Sequence, residues 1–328
     1  VLKEVRAVAA SAEHVTAMIR SHSMGDDEGF FAVALQAAAK EARQGHTRLA
    51  NDIKKAVDAS RSALPSGSVV HLAQPRGDVA DLVVASQPQV GLRDLVLSAD
   101  LLASLRRVLD EQRQRMRLLD HGFVPAHRLL LEGPPGTGKT MTAAVLAHEL
   151  SLPLFTVRLD GLLSKYMGET AGKLRLVFDE AAKRRGVYLF DEFDALGGDR
   201  SGNDVGEARR ILNSFLVFLE QASPESIIVA ATNHRPILDK ALFRRFDLVL
   251  TYRLPEGRQV REVIRGRLGT MVTGLRWDKV DTAAQGLSHA DLVEAAETAA
   301  KGALMRDYTR VTVEDLLAAL GERWAASA

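Results

Sequence analysis

The sequence predicts an α/β protein in which a parallel sheet is sandwiched by helices, with a helical bundle before it and a helical lid after it. Three observations predict this. Five short apolar runs (Arg128 to Glu132, Leu154 to Val157, Val187 to Phe190, Ile227 to Ala231, Leu248 to Tyr252) are each separated from the next by helical patterning. Strands that alternate with helices form a parallel sheet covered on both faces. A glycine-rich loop stands between the first run and an alanine-rich stretch, Met141 to Leu150, and the two ends of the chain carry only helical periodicity.

Residues 1–62 are read as a three-helix bundle that binds an adaptor or substrate. Leu2, Val5, Val8, Ala9, Ala12, Val15 and Ile19 make one apolar face; Phe30, Phe31, Leu35, Ala38 and Ala42 a second; Leu49, Ile53 and Val57 a third. Asp26-Asp27-Glu28 suit the start of the second helix, and Gly45 its end. Residues 63–91, with Pro65, Gly67, Pro75, Gly77 and Pro88, read as a partly extended linker. A helix from Ser98 to about Leu119 then leads into the first strand, so that 92–254 form the α/β domain and 255–328 the lid.

Composition narrows the function. Lys plus Arg at 43 against Asp plus Glu at 42 leaves a net charge of +1, which argues against a nucleic-acid or membrane partner acting through whole-molecule charge. The absence of cysteine excludes disulfides and thiolate metal sites and suits a cytoplasmic protein. No run approaches the roughly eighteen apolar residues of a membrane span. The chain begins with Val1 rather than Met, which leaves a preceding segment open.

Residues 133 to 140 read Gly133-Pro134-Pro135-Gly136-Thr137-Gly138-Lys139-Thr140. The glycines let backbone N–H groups turn inward around the β- and γ-phosphates of a nucleotide, and the helix entered at Met141 points its positive dipole end at the same charge. Lys139 supplies a point charge to the phosphates and Thr140 a hydroxyl for Mg2+. All eight positions agree with the phosphate-loop pattern, in the right strand–loop–helix context. The run Val187-Tyr188-Leu189-Phe190 ends in Asp191-Glu192. Asp191 can hold Mg2+ through water, and Glu192 can orient and polarise an attacking water. An apolar run ending in two acids is common, but downstream of a complete phosphate loop it reads as the second half of an ATP site.

Together with Ala230-Ala231-Thr232-Asn233 and Leu238-Asp239-Lys240-Ala241-Leu242-Phe243-Arg244-Arg245-Phe246-Asp247, these motifs resemble the classical clade of AAA ATPases, in the AAA+ superfamily, over residues 92 to 320. The resemblance implies a P-loop NTPase sheet, with ATP and Mg2+ as ligands. It assigns Asn233 to sensing the γ-phosphate and positioning water, and Arg244 and Arg245 to fingers that reach a neighbouring subunit's site. A guanidinium fork spreads positive charge over a transferring phosphoryl group. Many members separate the two arginines by a Pro-Gly insertion. Here they are adjacent, as in the severing and ESCRT-disassembling branch, and which is the principal finger stays open.

Ser164-Lys165-Tyr166-Met167-Gly168-Glu169-Thr170 resembles the clade's first pore loop, whose aromatic and flexible apolar side chains grip polypeptide without reading sequence. Lys165, Tyr166, Met167 and Gly168 are its candidate residues; Asp199 to Gly206 looks like a second pore loop. Gly286-Leu287-Ser288-His289-Ala290-Asp291-Leu292 matches the lid motif, with His289 in place of a glycine. Ala290 is counted with the nucleotide-binding residues, as is Met141, and His289 is expected to be an exposed or stacking residue. His148-Glu149 lacks a second histidine four residues after the first, so a zinc-protease motif is absent.

The reading is an ATP-driven protein remodeller: a homo-oligomeric ring, taken as a hexamer, that hydrolyses ATP at subunit interfaces and pulls a protein substrate. A separately encoded protease or effector is a possible partner. The alternatives are a nucleic-acid-handling ATPase, of the helicase-loader or transposition-helper type, and a nucleotide-gated regulatory switch.

Overall fold

The computed structural model describes residues 33–40, 46–47, 50–55, 57, 79–162, 169–196, 205–233, 243–272 and 274–327. The chain divides into two compact units, Val1–His71 and Leu72–Ala328. In the first, residues 33–40 and 50–55 are helical, and Ala34 and Val57 are buried with Leu35 and Ile53 packed against them. The first helix expected from the sequence lies outside the described residues.

The second unit is built on a six-stranded sheet in the order β1-β3-β4-β5-β2-β6. Its strands are β1 (Val83–Ser86), β2 (Arg128–Glu132), β3 (Leu154–Val157), β4 (Val187–Phe190), β5 (Ile227–Thr232) and β6 (Leu248–Thr251). All five apolar runs are strands, and their pairings with one another are parallel. The linker reading is corrected at Val83–Ser86, an edge strand antiparallel to β3. Only Val83 is deeply buried there, while Val84 is 53% exposed, so the segment has too little apolar patterning to stand out among its prolines and serines.

Period-two alternation sorts the strand residues into two cores. Leu129, Leu131, Val187, Leu189, Val229 and Ala231 face one side, against Leu105, Leu109 and Leu146. Leu130, Phe155, Tyr188, Phe190, Ile228 and Ala230 face the other, against Phe178 and Phe215. Helix α1 (Ala99–Arg113) is capped by the Ser98 hydroxyl. The single helix expected to Leu119 breaks at Gln114, and a short α2 (Arg115–Asp120) follows.

Helix α3 (Lys139–Glu149) follows the phosphate loop, α4 (Leu159–Leu162) and α5 (Glu169–Lys183) come before β4, and α6 (Val205–Glu220) precedes β5. The lid comprises α7 (Arg258–Leu268), α8 (Trp277–Ala283), α9 (His289–Met305) and α10 (Val313–Ser327) around a core of its own that includes Ile264, Val280, Leu292, Ala296 and Leu316. Among the described residues, no helix is long and apolar enough to cross a membrane.

Candidate active site

The site forms where β2, β4 and β5 end on the same edge of the sheet. Beyond β2 the chain turns at Gly133, where an added Cβ would lie 2.5 Å from the Tyr252 carbonyl oxygen at the end of β6. Gly136 is left-handed at φ +70°, and a Cβ there would meet the Ser288 hydroxyl at 2.4 Å. Both positions need glycine, the first for the approach of a neighbouring strand and the second for that of the lid.

Lys139 opens α3, and its ammonium donates to the carbonyls of Gly133 (2.8 Å) and Pro134 (2.7 Å). The side chain is buried, and burial lowers its pKa against the opposing pull of Asp191 and Asp194. Thr137 closes the same turn by donating its hydroxyl to the Pro134 carbonyl. The Thr140 hydroxyl donates to Asp191 Oδ2 at 2.6 Å, joining the first turn of α3 to the tip of β4. Glu192 follows at φ +50°, a conformation rare outside glycine, and its N–H donates to Asp191 Oδ1 at 3.0 Å. The Glu192 side chain is exposed.

Asn233 follows β5, and a carboxylate the motif reading passed over holds it. Asp194 Oδ1 accepts from the Thr232 hydroxyl at 3.0 Å and from the Asn233 N–H at 3.4 Å. Asp194 stands three residues beyond Asp191, so its place in the motif was visible in the sequence, but its hydrogen bonds cross strands and were not.

The lid closes the site from the other side. Ser288 caps α9, accepting from the Asp291 N–H while the Asp291 carboxylate accepts from Ser288. The Ala290 N–H donates to the Gly136 carbonyl at 3.0 Å, tying the lid to the phosphate loop. The resulting cleft of about 460 Å3 brings together Pro135, Gly136, Gly138, Lys139, Thr140, Met141, Asp191, Glu192, Asn233 and Ala290 from the residues singled out in the sequence. Thr137 instead lines an adjoining hollow of about 450 Å3. His289 is half-buried, and both its ring nitrogens are shut off from solvent, which corrects the expectation of an exposed residue.

Arg244 and Arg245 do not line this cleft. Arg244 is exposed, whereas Arg245 pairs with Glu220 at the end of α6. Two residues on, Asp247 clamps this turn to the start of β2. Its Oδ2 accepts from the N–H groups of His127 (3.0 Å) and Arg128 (2.9 Å), and its Oδ1 accepts from the Arg128 guanidinium (3.1 and 2.5 Å). Burial alone would raise the Asp247 pKa, but these donors hold it below its usual value. Lys165, Tyr166, Met167 and Gly168 lie outside the described residues, as does most of the expected second pore loop.

Residues 129–254 match the ATPase family associated with various cellular activities (AAA). The AAA family ATPase y4kL of Sinorhizobium fredii is 34% identical over 302 residues, covering 91% of either chain. The chain belongs to the AAA ATPase family. The ATP-dependent zinc metalloprotease FtsH 4 of Sphaerobacter thermophilus is 34% identical over 66% of this ATPase, but the matched part is 34% of that protein. The proteasome-activating nucleotidase of Pyrococcus horikoshii is 32% identical over 72% of this chain and 62% of its own. The fold is that of the FIGL-1 AAA domain, with a TM-score of 0.59 over 75% of this chain and 89% of that one, at 24% identity.

The residues present fit the family's ligands, ATP and Mg2+. The Thr140 hydroxyl and the Asp191 carboxylate form a hard-oxygen pair of the kind Mg2+ takes. Lys139 is the first residue of a helix whose N-terminal residues, Gly138 to Met141, line the cleft, and a helix N-terminus favours phosphate.

Proposed function

We propose that this ATPase is a protein-remodelling machine whose active site is completed by a second copy of the chain. The observation that supports it is a division of labour. Phosphate, metal and water-handling side chains converge on one cleft, whereas the exposed Arg244 stands outside it.

In this reading Lys139 and the N–H groups of residues 136–140 hold the phosphates, and Thr140 and Asp191 hold Mg2+. Held by Thr140 and Asp191, Mg2+ would offset the negative charge of the nucleotide phosphates. Glu192 orients the attacking water and accepts its proton. Asn233, anchored through Asp194, offers an amide donor and acceptor to the same water and to the γ-phosphate. Arg244 of a neighbouring copy adds positive charge to the transferring group. Closure into a ring, taken as a hexamer, gives every cleft such a neighbour, since a head-to-tail interface that closes makes a ring.

Work on the substrate falls to Tyr166 and Met167, flanked by Lys165 and Gly168. The bundle of residues 1–62 recruits the substrate or an adaptor, and 92–254 and 255–328 act as motor and lid. The relatives named as a zinc metalloprotease and a proteasome-activating nucleotidase suggest a separately encoded protease as one partner. The test is Tyr166→Ala. ATP hydrolysis should stay within a few-fold of wild type while unfolding of a tagged protein substrate is lost. Unimpaired unfolding would remove Tyr166 from the translocating surface, and stimulation of ATPase activity by single-stranded DNA rather than by unfolded protein would favour a nucleic-acid-handling role.

A further inference from the structure

His289 carries two polar atoms that the phosphate chemistry does not use. It is the first residue of α9 and is held in place on both sides, by the Ser288–Asp291 capping box and by the Ala290 bond to Gly136. Both imidazole nitrogens are buried, and neither makes a hydrogen bond of ordinary geometry. Burial lowers the pKa of the ring, against the opposing pull of a hydrogen-bonding group on the Val96 backbone. A neutral imidazole presents one donor and one acceptor, and buried polar atoms of this kind almost always have partners.

Its position indicates what the partner is. His289 lines the cleft that contains Lys139 and Thr140, and also the adjoining hollow lined by Leu97, Ser98, Tyr252 and Gln259; it is the one residue the two share among those described. A nucleotide with its phosphates on the loop must carry its base away from Lys139, and the space available to it passes His289. Met141 and Val293 give the cleft apolar walls beside the imidazole, the mixture of flat apolar surface and few polar groups that binds small aromatic ligands.

We propose that His289 hydrogen-bonds the nucleobase of the nucleotide held by the phosphate loop, making this side chain a determinant of how much the base adds to affinity. The inference rests on the nucleotide site described above. It is tested by equilibrium binding of Mg–ATP and of magnesium tripolyphosphate, which lacks base and sugar, to the full chain and its variants. His289→Ala and His289→Phe should each weaken ATP about tenfold, the scale of one net hydrogen bond, with tripolyphosphate affinity unchanged. His289→Gln, which keeps a donor and an acceptor, should retain more ATP affinity than His289→Phe.

Wild-type ATP affinity in His289→Phe would show that packing suffices and would overturn the hydrogen bond. Equal losses for ATP and tripolyphosphate in all three variants would show a role in lid structure alone and would overturn it as well. Lys139→Ala serves as the reference and should weaken both ligands. If it leaves tripolyphosphate binding intact, the phosphate site itself is misplaced, a failure distinct from that of His289.

Discussion

The two ends of strand β2 do opposite jobs. At its C-terminal end the chain enters the phosphate loop, where polar groups are tied to one another: Lys139 to loop carbonyls, Thr140 to Asp191, and the Thr232 hydroxyl and Asn233 N–H to Asp194. At its N-terminal end His127 and Arg128 are clamped by Asp247, and the turn so held presents Arg244 outward. One end gathers charge around a cavity; the other fixes a turn and leaves a cation exposed beside it. A single stiff strand therefore links the groups that act on this chain's nucleotide to the group proposed to act on a neighbour's. The two arginines also differ, since Arg245 is held by Glu220 and Arg244 makes no such pair among the described residues.

The sharpest way to break this comparison is at Arg244. Arg244→Ala should lower ATP turnover by ~10³–10⁵-fold, the usual worth of an arginine finger, while ATP binding is kept. Mixing it with Lys139→Ala chains should restore part of the activity, because mixed rings contain interfaces with an intact cleft and an intact arginine. Mixed rings that form and stay inactive would show that the cleft is not shared. Glu192→Gln comes next, with a loss of ~10²–10⁴-fold in turnover at retained ATP affinity. Turnover near the wild-type rate would remove Glu192 from the chemistry.

A smaller effect belongs to Arg245→Ala. The Arg245–Glu220 pair is half-exposed and worth at most ~1 kcal/mol, so turnover should fall by no more than about fivefold. A loss matching that of Arg244→Ala would make the two arginines equal partners. The smallest effect is on stability. Burial lowers the His127 pKa from its usual 6.5 despite the opposing influence of Asp247, so the unfolded chain binds a proton there more readily than the folded one. The stabilisation is full above about pH 6.5 and is lost as pH falls from there toward the folded pKa. Urea midpoints at about pH 7.5 and 5.5 should differ less in His127→Gln than in the wild type; an unchanged difference would place the acid sensitivity elsewhere.

Much of this could be read from residue order alone, because the contributing interactions are local. A phosphate loop is a run of adjacent backbone groups, so its glycines, Lys139 and Thr140 are meaningful as a string. The four central strands declared themselves because both faces are largely buried and most of their residues are therefore apolar, and the edge strand β6 because Leu248, Val249 and Leu250 form an apolar run, while Asp191, Glu192 and Asn233 stand directly at strand ends. The edge strand Val83–Ser86 was not legible, since half its surface meets solvent and its pairing partner lies far along the chain.

Contacts between distant segments were equally beyond a linear reading. Asp194 serves Asn233 only because β4 and β5 are neighbours in the sheet. Asp247 serves His127 and Arg128 only because β6 lies beside β2. The burial of His289 depends on the lid packing onto Gly136, a contact made by residues more than a hundred positions apart. Sequence order specified the chemistry of each group; which groups share a hydrogen bond, and which arginine is left exposed, follow from strand order and packing, where separation along the chain no longer limits proximity.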